Sequence, residues 1–339
     1  MEIMEKVLVV GVNWLGDSLL TTPVFKALKK KFPDFYLGVM VVERVRGVFE
    51  NNPYIDEVII FDEKGQQKSL FAKLKFIKFL KKKKFDTVFL IHRSFTRALI
   101  CFLAGINLRI GYQRLKNYLI INKGIKVPKG LLHRQDYYLY LFEKSGIVIE
   151  DRVPNFFIPE SIRKNINKDL EQIKKEYPVL IGMNPSANWE LKRWPISYFA
   201  NLADSLVKDF KAAIIFIGAE SDRTVIEEVR AKMSQSSFNF CGKTSLKELG
   251  ALMQNLELFI SNDSGPAHLA GALGVDTLVI FGPTSPEVTS PRGRAVKIIR
   301  KEVDCQIPCY NLDCQDNVCL KDLTVGQVYS QVKNILNNG

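Results

Sequence analysis

Three stretches of this sequence combine the residue types that anion binding and proton transfer require. In residues 258–274, LFISNDSGPAHLAGALG, a short apolar run gives way to Asn262-Asp263-Ser264-Gly265-Pro266 and then to small residues with Leu269 and Leu273 four apart. This pattern predicts a buried strand, a tight turn and a closely packed helix. Asp263 or Ser264 caps the helix, Pro266 suits its first turn, and Gly265 lets another group approach the backbone. The free N–H groups and positive dipole end of such a helix start hold a phosphate. Residues 184–195, NPSANWELKRWP, also follow an apolar run. Their small residues bring backbone N–H groups to a diphosphate that Lys192 neutralises. In residues 11–18, GVNWLGDS, Asp17 lies at or near the cap of a predicted helix. There it either only caps or, held ionised at the helix start, acts as general base towards an attacking hydroxyl. The first loop is neither G-x-G-x-x-G nor a P-loop, which disfavours a dinucleotide oxidoreductase.

The elements that must position these loops alternate. In the first half, strands are predicted at 6–11, 35–42, 56–61 and 85–91, with a helix from about 17 to 32, a basic helix at 70–85 and another at 96–104. Residues 151–159, DRVPNFFIP, break the pattern and form the candidate linker between domains 1–158 and 159–339. Beyond them, strands at 179–184, 212–217, 238–241, 258–261 and 277–281 alternate with helices, and a last helix spans about 325–336. Alternation of this kind makes parallel sheets, so two nucleotide-binding-type α/β domains are expected, with ligands at the carboxyl ends of their strands and so in the cleft between them.

Composition sets bounds. With 339 residues, 47% hydrophobic and 25% charged, the chain holds enough apolar surface for two cored domains and is not disordered. No apolar run approaches 18 residues, and the amino terminus runs straight into a strand without the zones of a signal peptide, so a cytoplasmic protein is expected. Of the net charge of +12, residues 1–160 carry +11, from 27 Lys and Arg against 16 Asp and Glu. That asymmetry fits an anionic partner of the first half: nucleic acid, a membrane surface or an acidic lipid. Residues 68–84 alone hold eight lysines beside an apolar face, either an ordinary packed helix or one resting on an anionic inner membrane. Cys305, Cys309, Cys314 and Cys319 cluster at spacings irregular for a zinc ribbon, leaving reduced thiols or a structural metal.

The segments VGVNWLGDSLLTTPVFKALKKKFP, LAGINLRIGY, NPSANWELKRWP, CGKTSL and SNDSGPAHLAGALG, in this order over nearly the whole chain, resemble glycosyltransferase family 9, the ADP-heptose:lipopolysaccharide heptosyltransferases. The cysteine-rich segment points within that family to its heptosyltransferase II branch. The resemblance implies an α/β fold of GT-B type, two Rossmann-like domains with parallel sheets facing across a cleft. The first binds mainly the acceptor, a Kdo-bearing, phosphorylated lipid A core, and the second binds ADP-heptose. It implies an inverting transfer with no cofactor and no metal, and no nucleic-acid partner. Carried over by position, Asp17 matches the catalytic base and Lys192 the cation on the donor diphosphate. Ser264 and Gly265 match the helix-start phosphate contacts, Asp263 the ligand of sugar hydroxyls, and His268 lies one turn further on. Ser186 and Ala187 take places where some members carry hydroxyls, and Gly242, Lys243 and Thr244 lie near the adenosine edge. Asn13, Arg93 and Arg97 are the acceptor-side candidates, because arginine grips carboxylate and phosphate with two parallel hydrogen bonds.

A family 9 enzyme of different sugar or acceptor is the alternative, as is a nucleotide-sugar epimerase using similar phosphate loops, although no second cleft carboxylate is identifiable by spacing. A non-catalytic nucleic-acid or membrane-binding module explains the charge alone.

Overall fold

The computed structural model describes residues 5–114, 119–130, 132–309, 311 and 313–338. The chain forms two compact units, Met1–Phe157 and Ile158–Gly339.

The first unit is built on six parallel strands: β1 (Lys6–Val10), β2 (Tyr36–Val41), β3 (Glu57–Ile60), β4 (Thr87–Leu90), β5 (Leu108–Tyr112) and β6 (Lys123–Ile125), in the order β3-β2-β1-β4-β5-β6. The second repeats the arrangement with β7 (Val179–Asn184), β8 (Ala212–Phe216), β9 (Phe238–Asn239), β10 (Leu258–Asn262), β11 (Thr277–Phe281) and β12 (Val296–Arg300), in the order β12-β11-β10-β7-β8-β9. Central strands such as β1 (KVLVV) and β8 (AAIIF) are apolar on both faces because helices cover both sides of a parallel sheet. In each unit successive strands run outwards from the middle in both directions. The carboxyl ends of β1 and β4, and of β7 and β10, therefore border the crevice where loops diverge and ligands of such sheets bind.

The helices are bounded by local chemistry. Ser69 caps helix Leu70–Lys83 by accepting the Ala72 N–H at 3.1 Å. Ser245 and Glu248 cap helix Leu246–Met253 reciprocally, and Gly274, at φ +73°, ends helix Gly265–Leu273. The helix expected from 17 to 32 is two, Leu15–Leu20 and Pro23–Lys31. Pro23 offers no N–H to the preceding turn, while Thr21 and Thr22 turn their hydroxyls back onto the Ser18 and Leu19 carbonyls at 2.7 Å each. Strands β5, β6 and β12 and helix Arg134–Glu143 had no counterpart among the expected elements. The last helix, Val325–Asn338, lies on helix Ile196–Phe210 of its own unit, with Val328 and Val332 buried beside Trp194 and Leu206.

Candidate active site

In the first unit the loop after β1 carries Asn13, Trp14 and Asp17. Trp14, extended at φ −104° and ψ 144°, takes the cap position, so Asp17 is the third residue of helix Leu15–Leu20 and not its cap. The half-buried Asp17 carboxylate lies near the buried Tyr138 phenol, with Arg134 also close to it. Burial first, and the Asp17 charge next, push the Tyr138 phenol up. Tyr138 and Arg134 sit four apart on helix Arg134–Glu143, one turn of the same face.

Arg97 corrects the expectation of a solvent-facing acceptor contact. It is 2% exposed, and it donates from Nη1 to the Gly11 carbonyl at 3.1 Å and from Nη2 to Asn13 Oδ1 at 2.8 Å. Burial pulls its pKa down. The guanidinium thus spans the crevice between β1 and β4 and fixes the loop bearing Asp17. Arg93 is exposed and lies over the Tyr137 ring, 4.8 Å from its centroid. His92 accepts the Ser94 N–H on Nδ1 at 3.0 Å, and burial, followed by the Arg97 charge, lowers its pKa to about 4.

In the second unit the two expected phosphate loops meet across the β7–β10 crevice. Asn262, fully buried at the end of β10, holds the loop after β7 from both sides. Its Oδ1 accepts the Trp194 N–H at 3.0 Å and its Nδ2 donates to the Pro185 carbonyl at 2.8 Å. Trp194 is itself buried and donates from Nε1 to the Leu323 carbonyl at 2.8 Å. With the loop so held, Lys192 Nζ lies 2.6 Å from Asp263 Oδ2, which also accepts the Thr284 hydroxyl at 2.7 Å. Asp263 is 5% exposed, so this pair competes little with water. Ser264 takes the cap position of helix Gly265–Leu273, its hydroxyl 2.9 Å from that of Ser261, and His268 lies buried in the first turns.

The other expected contacts flank this pair. Ser186 is buried and donates to Asp222 Oδ1 at 2.7 Å, while the Ala187 carbonyl accepts from Arg193 at 3.0 Å. Gly242 sits at φ +68°, in the left-handed region that favours glycine, in the turn beside the loop after β8, with the Glu220 side chain close against it. Lys243 is exposed and Thr244 half-buried. Asn262, Thr284, Asp222, Arg134 and Tyr138 were not foreseen.

Among the described residues no three His, Cys, Asp or Glu side chains are grouped to hold a metal ion. Cys305 is exposed, Cys309 and Cys314 are half-buried and Cys319 is buried, all as free thiols. Burial, then the neighbouring thiols, raise the Cys319 pKa to about 11.

The model of glycosyltransferase family 9 (heptosyltransferase) matches residues 73–318, most of the chain. This chain belongs to glycosyltransferase family 9. Among curated relatives of this glycosyltransferase is lipopolysaccharide heptosyltransferase 2 of Salmonella typhimurium, 26% identical over 87% of the chain and 88% of the relative. Its fold matches a family 9 glycosyl transferase of Veillonella parvula with a TM-score of 0.91, at 24% identity over 100% of this chain and 99% of that one. It also matches the ADP-heptose heptosyltransferase II of Escherichia coli with a TM-score of 0.81, at 23% identity over 98% and 99%. The α/β fold is thus of GT-B type, built from two Rossmann-like units.

Proposed function

We propose that this glycosyltransferase moves a heptose from ADP-heptose to the inner core of lipopolysaccharide, a heptosyl-Kdo-lipid A type acceptor. The observation that carries the donor half is the Lys192–Asp263 pair set at the start of helix Gly265–Leu273 in the β7–β10 crevice. A nucleoside diphosphate leaving from the sugar gains charge. Lys192 and the N–H groups after Ser264 stabilise that charge in place of a metal. Asp263 then exchanges part of its hold on Lys192 for the sugar hydroxyls, with Thr284 keeping its second contact. Ser186, Ala187 and the Gly242-Lys243-Thr244 turn border the nucleotide, and His268 supports the diphosphate end.

On the acceptor side, Asp17 takes the proton of the attacking hydroxyl while the sugar carbon is oxocarbenium-like. Attack opposite the diphosphate inverts that carbon. Tyr138, buried beside Asp17, walls the carboxylate on one side. Asn13, Arg93 and, through Asn13, Arg97 shape the acceptor side.

The acceptor is a lipid, and helix Leu70–Lys83 supports a membrane contact. No helix among the described residues is long and apolar enough to cross a membrane. Leu70 (73% exposed), Phe71 (78%) and Leu74 (49%) nevertheless stand out of this helix among lysines, while Phe76 and Leu80 bury its other face. Because the helix leads into β4, its amino end lies at the strand ends that carry Asp17.

Incubation with ADP-heptose and a panel of truncated core lipids, with mass detection of the product, tests the proposal. One added heptose on a Kdo-bearing core is expected. Turnover of the nucleotide sugar without acceptor would replace it by an epimerase.

A further inference from the structure

We infer that Arg44 and Trp14 form a subsite for an anionic group of the acceptor, a carboxylate or phosphate borne on a sugar. The inference rests on assigning the acceptor to the first unit.

Trp14 is 54% exposed, three residues before Asp17. An indole is among the side chains with most to gain from burial, yet the fold leaves this one out, with a partner laid over it. The Arg44 guanidinium carbon lies 4.1 Å from the Trp14 ring centroid, and its Nε donates to the Asn13 carbonyl at 2.7 Å. Arg44 follows β2, the neighbour of β1, so the loops after both strands contribute to one surface. Its near neighbour Arg46 is engaged by Glu43 at 3.6 Å and Glu50 at 2.5 Å. No carboxylate among the described residues pairs with Arg44, and neither of its Nη groups has a partner there.

A guanidinium with one edge spent on a carbonyl and one face on a ring keeps its remaining fork flat, charged and in a fixed place. Little rotamer freedom is left to lose when it takes two parallel hydrogen bonds from a carboxylate or phosphate. The seat is rigid as well. Asn13 is held through its carbonyl by Arg44 and through Oδ1 by the buried Arg97, so the subsite and Asp17 keep a constant separation. Arg93, from the loop after β4, repeats the device on Tyr137. Two arginines laid over rings, in the loops after β2 and β4 on either side of the β1 loop in strand order, fit an acceptor bearing at least two negative groups, whereas a neutral sugar would leave both forks unpaired.

The test uses the full chain with Arg44→Lys, Arg44→Met and Trp14→Leu, and a deacylated, phosphorylated, Kdo-bearing core saccharide as probe. Calorimetric titration without donor measures binding, and initial rates give KM for each substrate. We expect Arg44→Met to weaken binding and raise the acceptor KM about 10- to 100-fold. Arg44→Lys and Trp14→Leu should each cost about tenfold, and the donor KM should stay within about twofold. Probes lacking only the phosphate, or reduced at only the carboxylate, identify the anion: the wild type loses affinity for one of them and Arg44→Met loses no more. Unchanged acceptor binding in Arg44→Met, equal sensitivity of both proteins to each deletion, or a wild type that does not bind the probe overturns the subsite. A wild type that binds the probe, loses binding with Arg44→Met and yet transfers no heptose supports the subsite and removes the proposed reaction.

Discussion

Asn262→Ala separates a held donor loop from a loose one. In the wild type both ends of the Asn262 amide are used, towards the Trp194 N–H at 3.0 Å and the Pro185 carbonyl at 2.8 Å, and the residue is fully buried. Truncation leaves one donor and one acceptor unpaired away from water. At about 1–3 kcal/mol each, the loss is about 2–6 kcal/mol, a large part of the roughly 5–15 kcal/mol by which a domain is stable. Asn262→Asp keeps the acceptor for Trp194 but sets a carboxylate oxygen against the Pro185 carbonyl, so it does not restore the second bond. The same loop carries Lys192 to Asp263, and its release should raise the donor KM at least about tenfold while the acceptor KM changes little. Urea unfolding followed by tryptophan fluorescence measures the first effect, and initial rates at varied donor measure the second. A change in stability below about 1 kcal/mol, or an unaltered donor KM, would show that Asn262 does not hold this loop.

Asp17→Asn should lower kcat by about 10² to 10⁴ while donor binding, measured by calorimetry, is retained; unchanged turnover removes Asp17 from the mechanism. His92 is lowered from 6.5 to about 4, so between those values the unfolded chain binds a proton that the folded protein refuses. Stability should therefore fall as pH drops through that window. The loss is on the order of 2 kcal/mol for this partly buried group, and a His92→Gln variant whose melting temperature falls as steeply from pH 7 to pH 5 would refute the assignment. The protein should float with vesicles containing anionic phospholipid and not with neutral ones, and Phe71→Ser with Leu74→Ser should release it; flotation indifferent to both changes excludes helix Leu70–Lys83 as the contact.

What the sequence could reveal divides along a physical line. Periodicity and apolar runs report which face of an element meets a core, and they located the central strands because β1, β7, β8, β10 and β11 are buried runs. They fail where a strand carries charge or lies largely in solvent: β5, LRIGY, carries Arg109, β12, VKIIR, carries exposed Lys297 and Arg300, and β6 is three largely exposed residues. Arg97 shows a signal that was present and overridden. It shares helical spacing with the buried Ile100, Cys101 and Ala104, at three, four and seven residues, which places it on the inner face. Its charge argued for solvent. Nothing local predicts that Lys192 meets Asp263 at a separation of 71 residues, or Trp194 meets Asn262 at 68. These pairs follow from topology. A sheet that winds outwards from β7 and β10 sets the loops after those two strands side by side, so the residue types suited to a diphosphate can lie in separate segments and still meet. The same winding about β1 and β4 brings Arg97 to Asn13, and the β1–β2 pairing brings Arg44 to Trp14. Composition names the chemistry, and strand order decides which residues perform it together.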